Sequence, residues 1–333
     1  MPPSGVQLYG PQFSGDNQQI LQPCFQYSQC IGKKKVVAIG INYIGMPGIE
    51  LEGCHNDVTN LVKFLCEKFR YKREDIRLLT DDPANRNKPT RTRIIAAMQW
   101  LVKDAQPNDS LFFYYSGHGG QTKDRDGDER DGFDEAIVPV DYVNYKPLVS
   151  GYIVDDEMHE IMVKPLPAGC RLTAIFDSCH SGSALDLPYV YSTEGKLKEP
   201  NLTLEAWKEL MDVMVCTVSG DMKGAMRRFS SAVKIVTVGR RADEHARKTR
   251  TSPADVVSFS GCKDSQIGVD TYQAGEATGA MSYAFMKALK KNPQQSYQEL
   301  LNNIRTILKQ ENYAQKPQLS SSHPMDTNIL FIV

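Results

Sequence analysis

The run Arg171-Leu172-Thr173-Ala174-Ile175-Phe176 is short and largely apolar, the pattern of a buried strand in an α/β sheet. It breaks off into Asp177-Ser178-Cys179-His180-Ser181-Gly182, so the strand should end at a sheet edge and deliver Cys179 there. In open α/β sheets, ligands and chemistry collect in the crevice outside the strand carboxyl ends. Most free cysteines are inert core residues. A thiol in a small, polar segment at a strand end reads instead as a nucleophile, because thiols are already partly ionised near neutral pH. What it lacks locally is a base.

A second stretch of the same construction lies upstream. Leu111-Phe112-Phe113-Tyr114-Tyr115 is apolar and breaks into Ser116-Gly117-His118-Gly119-Gly120. The glycines remove side chains around His118, which admits a substrate backbone and frees N–H groups to hold an oxyanion. One strand end in His and one in Cys make a Cys179–His118 dyad. Cys179 would attack a carbonyl as thiolate, and His118 would either polarise the thiol or protonate the leaving amine. The N–H groups of Gly119 and Cys179 are the oxyanion candidates. His180 competes as base, but neighbours on an extended segment point to opposite faces, so His118 ranks first.

The rest of the chain supplies the sheet and its cover. Val36–Tyr43 is nearly all apolar and reads as a central strand; Ile76–Leu79 reads as another. Val58, Leu61, Val62, Leu65 and Phe69 recur at helical spacing, and Thr90 is placed to cap a helix carrying Ile94, Met98 and Leu101. Further helices are expected around Ala280–Leu289 and Tyr297–Leu308, with strands at Val256–Ser260 and Asn328–Val333. Alternation of strands and helices predicts an α/β fold with a mostly parallel central sheet flanked by helices on both faces. Residues 1–32, rich in Pro, Gln, Gly and Ser, read as a mobile arm, leaving 33–333 as one domain.

A net charge of −1 gives no basic field suited to nucleic acid, and no run approaches a membrane span. The eight cysteines are scattered, without a zinc-type spacing, and a working thiol needs a reducing compartment, cytoplasmic or nuclear. The acidic loop 124–135 imitates a calcium loop but has Glu129 where the turn glycine belongs, and its flanks look like strands. Residues 219–254 are dense in Lys and Arg, as a solvated linker would be.

Ser116-Gly117-His118-Gly119 and Asp177-Ser178-Cys179-His180-Ser181-Gly182 resemble the two signatures of the metacaspases, caspase-like cysteine peptidases of fungi, plants and protists. The likeness runs from Tyr27-Ser28-Gln29-Cys30 through Leu51-Glu52-Gly53-Cys54-His55-Asn56-Asp57 to Gln315–Ser321, and is strongest to the fungal type I branch. It implies a caspase-like fold, with residues 1–32 as a short prodomain. It also implies a substrate pocket at Cys54, Asp57, Ser116 and Asp177 that takes Arg or Lys, where a carboxylate meets a guanidinium in a charge-assisted contact. Its calcium aspartates match Asp134, Asp155, Asp156 and Asp186, a group that the residues themselves do not single out.

The implied protein is a calcium-activated, monomeric cysteine endopeptidase acting on protein or peptide substrates. It would be made as a zymogen and linked to apoptosis-like death. Its basic stretch would be a self-processing linker, with Lys223, Arg227, Arg228, Arg247, Lys248 and Arg250 as candidate cut sites. The alternative is a non-proteolytic caspase-fold scaffold in protein quality control, against which the retained His118 and Cys179 weigh.

Overall fold

A computed structural model describes residues 2–10, 13–14, 20–124, 132–178, 184–192, 194–197, 245–247, 249–261, 270–273, 276–313 and 315–333. Its centre is a seven-stranded sheet. Five of the strands run parallel, in the order β2 (Ile76–Thr80), β1 (Lys34–Gly40), β3 (Ser110–Ser116), β7 (Arg171–Asp177) and β9 (Asp255–Ser260). Beyond β9 the edge is closed by antiparallel β10 (Gln318–Ser321) and β8 (Tyr189–Tyr191). β3 and β7 are buried on both faces, which is why they read as continuous apolar runs rather than alternating ones.

Helices cover both faces. On one side α1 (Cys54–Phe69), α4 (Ala280–Lys291) and α5 (Tyr297–Gln310) pack Val58, Leu61, Leu65, Phe285, Leu289, Leu300 and Ile304 against Val36, Phe112, Tyr114 and Ile175. On the other, α2 (Arg91–Val102) and α3 (Asp155–Met162) pack Ile94, Met98, Leu101, Met158 and Met162 against Val37, Phe113 and Leu172. Thr90 caps α2 by accepting from the Arg93 N–H, and Ser296 with Glu299 forms a capping box on α5. The α/β architecture expected from the pattern, a mostly parallel central sheet with helices on both faces, is the one observed.

Three local expectations are corrected. The acidic loop ends sooner than read, because residues 133–135 already belong to one of its flanking strands: β4 (Gly119–Lys123) pairs antiparallel with β5 (Phe133–Ile137), which pairs with β6 (Ile153–Val154) in a small separate sheet. The expected loose arm is packed from Cys24 onward. Val6–Leu8 pairs with Cys24–Gln26, Phe25 and Tyr27 are buried, and Phe25 stacks on His323 at 3.6 Å. Two aromatic rings bury enough apolar surface to order a segment whose overall composition looks loose. Finally, residues 328–333 form no strand apart from a single bridge at Leu330. The terminal carbonyls are taken by side chains instead, Ile332 O by Arg171 Nη1 and Val333 O by Lys34 Nζ.

Candidate active site

The parallel register of β3 on β7 sets Ser116 beside Asp177. His118 lies two residues past the first and Cys179 two past the second, so equal lengths of chain lead from neighbouring strand ends to the two dyad candidates. Cys179 and His180 lie outside the described residues. His118 is half-buried and held from several sides. Its Nε2 is 2.7 Å from the Ile49 carbonyl. A carbonyl only accepts, so Nε2 carries the proton and Nδ1 is the basic nitrogen. The His118 N–H donates to Tyr43 Oη at 3.0 Å, Tyr115 Oη donates to the His118 carbonyl at 2.7 Å, and the Tyr43 ring packs 4.6 Å from the imidazole.

Tyr43 is fixed in turn. Its hydroxyl donates to the Val138 carbonyl at 2.7 Å, and burial raises its pKa well above the ordinary value, keeping it neutral. The loop that carries it is clamped by Asp81, which accepts from the Asn42 and Ile44 N–H groups at 2.8 and 2.9 Å and meets His55 Nε2 at 2.6 Å. Burial works to raise the Asp81 pKa, but His55 and those two backbone bonds win and hold it below the usual range.

The four pocket candidates stand together. Asp57, in the first turn of α1, is buried, and Cys54 one turn earlier is buried beside it. Asp57 Oδ2 accepts from Ser116 Oγ at 2.8 Å and its Oδ1 from the Gly279 N–H at 2.7 Å. Asp177 meets the N-terminus of α4, accepting from the Ser282 N–H at 2.9 Å and the Met281 N–H at 3.4 Å. An anion belongs there, because the first amides of a helix have no partner within it. A Cβ on Gly279 would overlap Asp177 Oδ2 and come within 2.9 Å of Asp57 Oδ2, so only glycine lets this backbone pass between the two carboxylates. Tyr114, two residues before Ser116 on β3, is fully buried. Burial first, then the charges of Asp57 and Asp177, push its pKa well above ordinary.

The four aspartates matched to calcium come from three segments. Asp134 lies on β5, Asp155 and Asp156 open α3, and Asp186 lies in the loop after Cys179. Asp155 accepts from the Glu135 N–H and the Asp156 N–H at 2.9 Å each, and Asp134 accepts from Thr122 Oγ1 at 3.4 Å. Asp156 and Asp186 both pair with Arg250. Hard carboxylate oxygens suit calcium in kind. Their arrangement does not suit it, since a guanidinium joins two of the four. Among the described residues, no three His, Cys, Asp or Glu side chains are gathered as a metal would need.

Of the candidate cut sites, Arg247 is exposed and Arg250 is buried; Lys223, Arg227, Arg228 and Lys248 lie outside the described residues. Sequence reasoning missed the Ile49 carbonyl, Tyr43, Asp81, Gly279 and the pairing of Arg250. Nothing in the local pattern marks a backbone carbonyl 69 residues from the imidazole it meets.

A family model described as metacaspase, peptidase C14 domain, matches residues 34–188. A protein named Metacaspase-1 from Cryptococcus neoformans is 61% identical over 333 residues, covering 99% of this chain and 71% of that protein. Metacaspase-1B of Neurospora crassa is 56% identical, covering 100% and 75%. Metacaspase-1 of Emericella nidulans is 56% identical, covering 100% and 79%. A crystal structure of a Geobacter sulfurreducens protein overlays with a TM-score of 0.54 at 21% identity, covering 90% of this chain and 98% of that one, a likeness of fold.

Proposed function

The chain belongs to the metacaspase family of cysteine peptidases, and from that premise we propose a calcium-activated endopeptidase that cuts proteins after Arg or Lys and processes its own basic segment. The observation that carries the catalytic part is the bond from His118 Nε2 to the Ile49 carbonyl, which fixes the tautomer and leaves Nδ1 as base. The Cys179 thiol gives its proton to Nδ1, and the thiolate attacks the scissile carbonyl carbon. The tetrahedral oxyanion collapses as the imidazolium returns the proton to the leaving amine. Water, deprotonated by the same nitrogen, then releases the acyl group from sulfur. Tyr43 and Tyr115 hold the His118 backbone, Asp81 holds the loop that carries Tyr43, and the Ile49 carbonyl and the Tyr43 ring keep the imidazole from turning away during these transfers.

Specificity for basic residues is supported by the pair Asp57 and Asp177, set on either side of Gly279. A guanidinium or ammonium entering there meets negative charge in surroundings poor in water, where such pairing is strongest. An acidic side chain would be repelled. Calcium activation rests on the family likeness alone, which assigns to the ion Asp134 on β5, Asp155 and Asp156 at the start of α3, and Asp186 in the loop after Cys179. The five described cysteines, Cys24, Cys30, Cys54, Cys66 and Cys170, are all free, which agrees with a reducing compartment, the cytoplasm or nucleus. No described helix is long and apolar enough to cross a membrane. Reporter peptides ending in Arg, Lys or Asp, assayed with calcium and with chelator, test the reading. Cleavage of the first two only, and only with calcium, is expected; cleavage after Asp overturns the specificity, and full activity in chelator overturns the calcium control.

A further inference from the structure

β4 follows His118 directly and lies in a three-stranded sheet whose central strand is β5, so among the described residues one edge of β4 has no strand beside it. The bonds at its two ends settle which backbone groups that edge presents. The Val138 N–H donates to the His118 carbonyl at 3.2 Å, and the Asp124 N–H donates to the Gly132 carbonyl at 3.0 Å. Antiparallel ladders alternate, so residues 118, 120, 122 and 124 turn their backbone groups toward β5. Gly119, Gln121 and Lys123 therefore turn their N–H and C=O groups to the open edge. One face of the strand is engaged as well. A Cβ on Gly120 would come within 2.8 Å of the Tyr152 ring, and Thr122 Oγ1 donates to Asp134 at 3.4 Å. An edge of this kind is a template for a further chain, and the glycines at 119 and 120 bring no side chain that would hold one away.

We propose that the open edge of β4 binds the part of the substrate that follows the cleaved bond, as an added parallel strand. This rests on the Cys179–His118 dyad proposed above and extends it from the cut to the chain beyond. His118 returns its proton to the leaving amine, so the leaving half of the substrate begins beside His118. β4 begins at the next residue and leads away from that point. The acyl half lies elsewhere, because the carboxylates that would read its basic side chain sit with α1 and the start of α4.

The outward N–H of Gly119 is one of the two oxyanion candidates, and that sets the register. With this N–H on the carbonyl of the residue before the cut, parallel pairing fixes every later bond. The Gly119 carbonyl accepts from the N–H of the second residue after the cut. The carbonyl of that residue accepts from the Gln121 N–H. The Gln121 carbonyl then accepts from the N–H of the fourth residue, whose own carbonyl accepts from the Lys123 N–H. The first and third residues turn their backbone groups away from β4. The 5 residues of β4 span about 16 Å, enough for these four. Recognition on this side is by main chain, so it selects an extended segment with free amides at alternate positions rather than particular side chains.

The test uses the full chain with calcium and quenched peptides that share one acyl half ending in Arg. Their leaving halves hold one, two or four residues. Each lengthening should raise kcat/KM about tenfold, the size of two backbone hydrogen bonds at a partly exposed edge. In the longest peptide, N-methylation of the second residue after the cut should erase the gain, and N-methylation of the third should keep it. Equal rates at all three lengths, or equal losses from the two methylations, overturn the strand pairing and leave the peptidase reading standing. No cleavage of any peptide overturns both. Gln121→Pro removes one outward N–H without taking a bond from the β5 ladder. It should bring the ratio of long-peptide to short-peptide kcat/KM toward one, and an unchanged ratio overturns the pairing. Should that variant not fold, the peptide series decides alone.

Discussion

At the N-terminal ends of β7 and β9, Asp255 is buried with Arg171 and His323; at the C-terminal ends of β3 and β7, Asp57 and Asp177 are held by a hydroxyl and by backbone amides. The first group is a closed unit. Arg171 and Asp255 are register partners on adjacent strands, neither side chain has any exposure, and Arg171 also bonds Tyr297 and the Ile332 carbonyl. Burial works to raise the Asp255 pKa, but the Arg171 guanidinium and then His323 hold it below the usual range. The second group takes bonds from Ser116, Gly279, Met281 and Ser282, neutral donors that bring no positive charge to either carboxylate. One end of the sheet spends its carboxylate on holding strands and termini together. The other, on the proposed reading, would offer its carboxylates to a basic side chain of the substrate. Burial alone does not separate a structural acid from a functional one; the partner does.

The largest expected effects pull the two ends apart. His118→Ala should abolish peptide cleavage, by several orders of magnitude in kcat/KM, with an unchanged urea midpoint. Asp255→Ala should do the reverse, costing about 3–5 kcal/mol of stability, because it leaves the Arg171 charge buried without its carboxylate. Paired unfolding and activity measurements check both. A stability loss in the first, or none in the second, removes the contrast.

Asp57→Asn sharpens it further. Its shape keeps the bonds to Ser116 and Gly279 available while one charge is removed. Transition-state stabilisation for Arg-ended peptides should drop on the order of 2–5 kcal/mol, with a folding change below about 1 kcal/mol. The useful readout is kcat/KM for Arg-ended peptides against peptides with a neutral residue at that position. An equal loss on both would show that Asp57 supports the fold rather than reads charge.

The effect that shows only as a pH dependence lies on α3, at His159. Burial first, and then the charge of Arg250, lower its pKa from 6.5 to about 4, so the folded protein keeps it neutral where the unfolded chain would protonate it. Its contribution to stability is complete above 6.5 and declines as pH falls from 6.5 toward 4, by about 1.4 kcal/mol per unit. The difference between the native protein and His159→Gln, followed by urea unfolding across that window, should carry this slope. A flat difference would place the neutral imidazole outside the energetics of the site.

The sequence alone determined the parts that local chemistry encodes. Apolar runs marked β1, β3, β7 and β9, three- and four-residue spacing marked α1, α4 and α5, and Thr90 marked the start of α2. The breaks at Ser116 and Asp177 showed where β3 and β7 end, because a buried run has no reason to end in small polar residues unless it reaches an edge. Legibility failed where the partner was distant or the composition misleading. Phe25 and Tyr27 are packed aromatics in a stretch read as loose, β10 is a polar strand that only its neighbours β9 and β8 make into one, and the last two carbonyls of the apolar chain end go to side chains instead of a ladder. Tertiary structure decided that the Ile49 carbonyl sets the His118 tautomer, that the start of α4 reaches Asp57 and Asp177, and that Arg250 lies across Asp156 and Asp186. Each of these depends on strand register and helix docking, which place groups 69, 222 and 94 residues apart within bonding distance. Periodicity reports which face of an element is buried; it carries no information about what stands opposite.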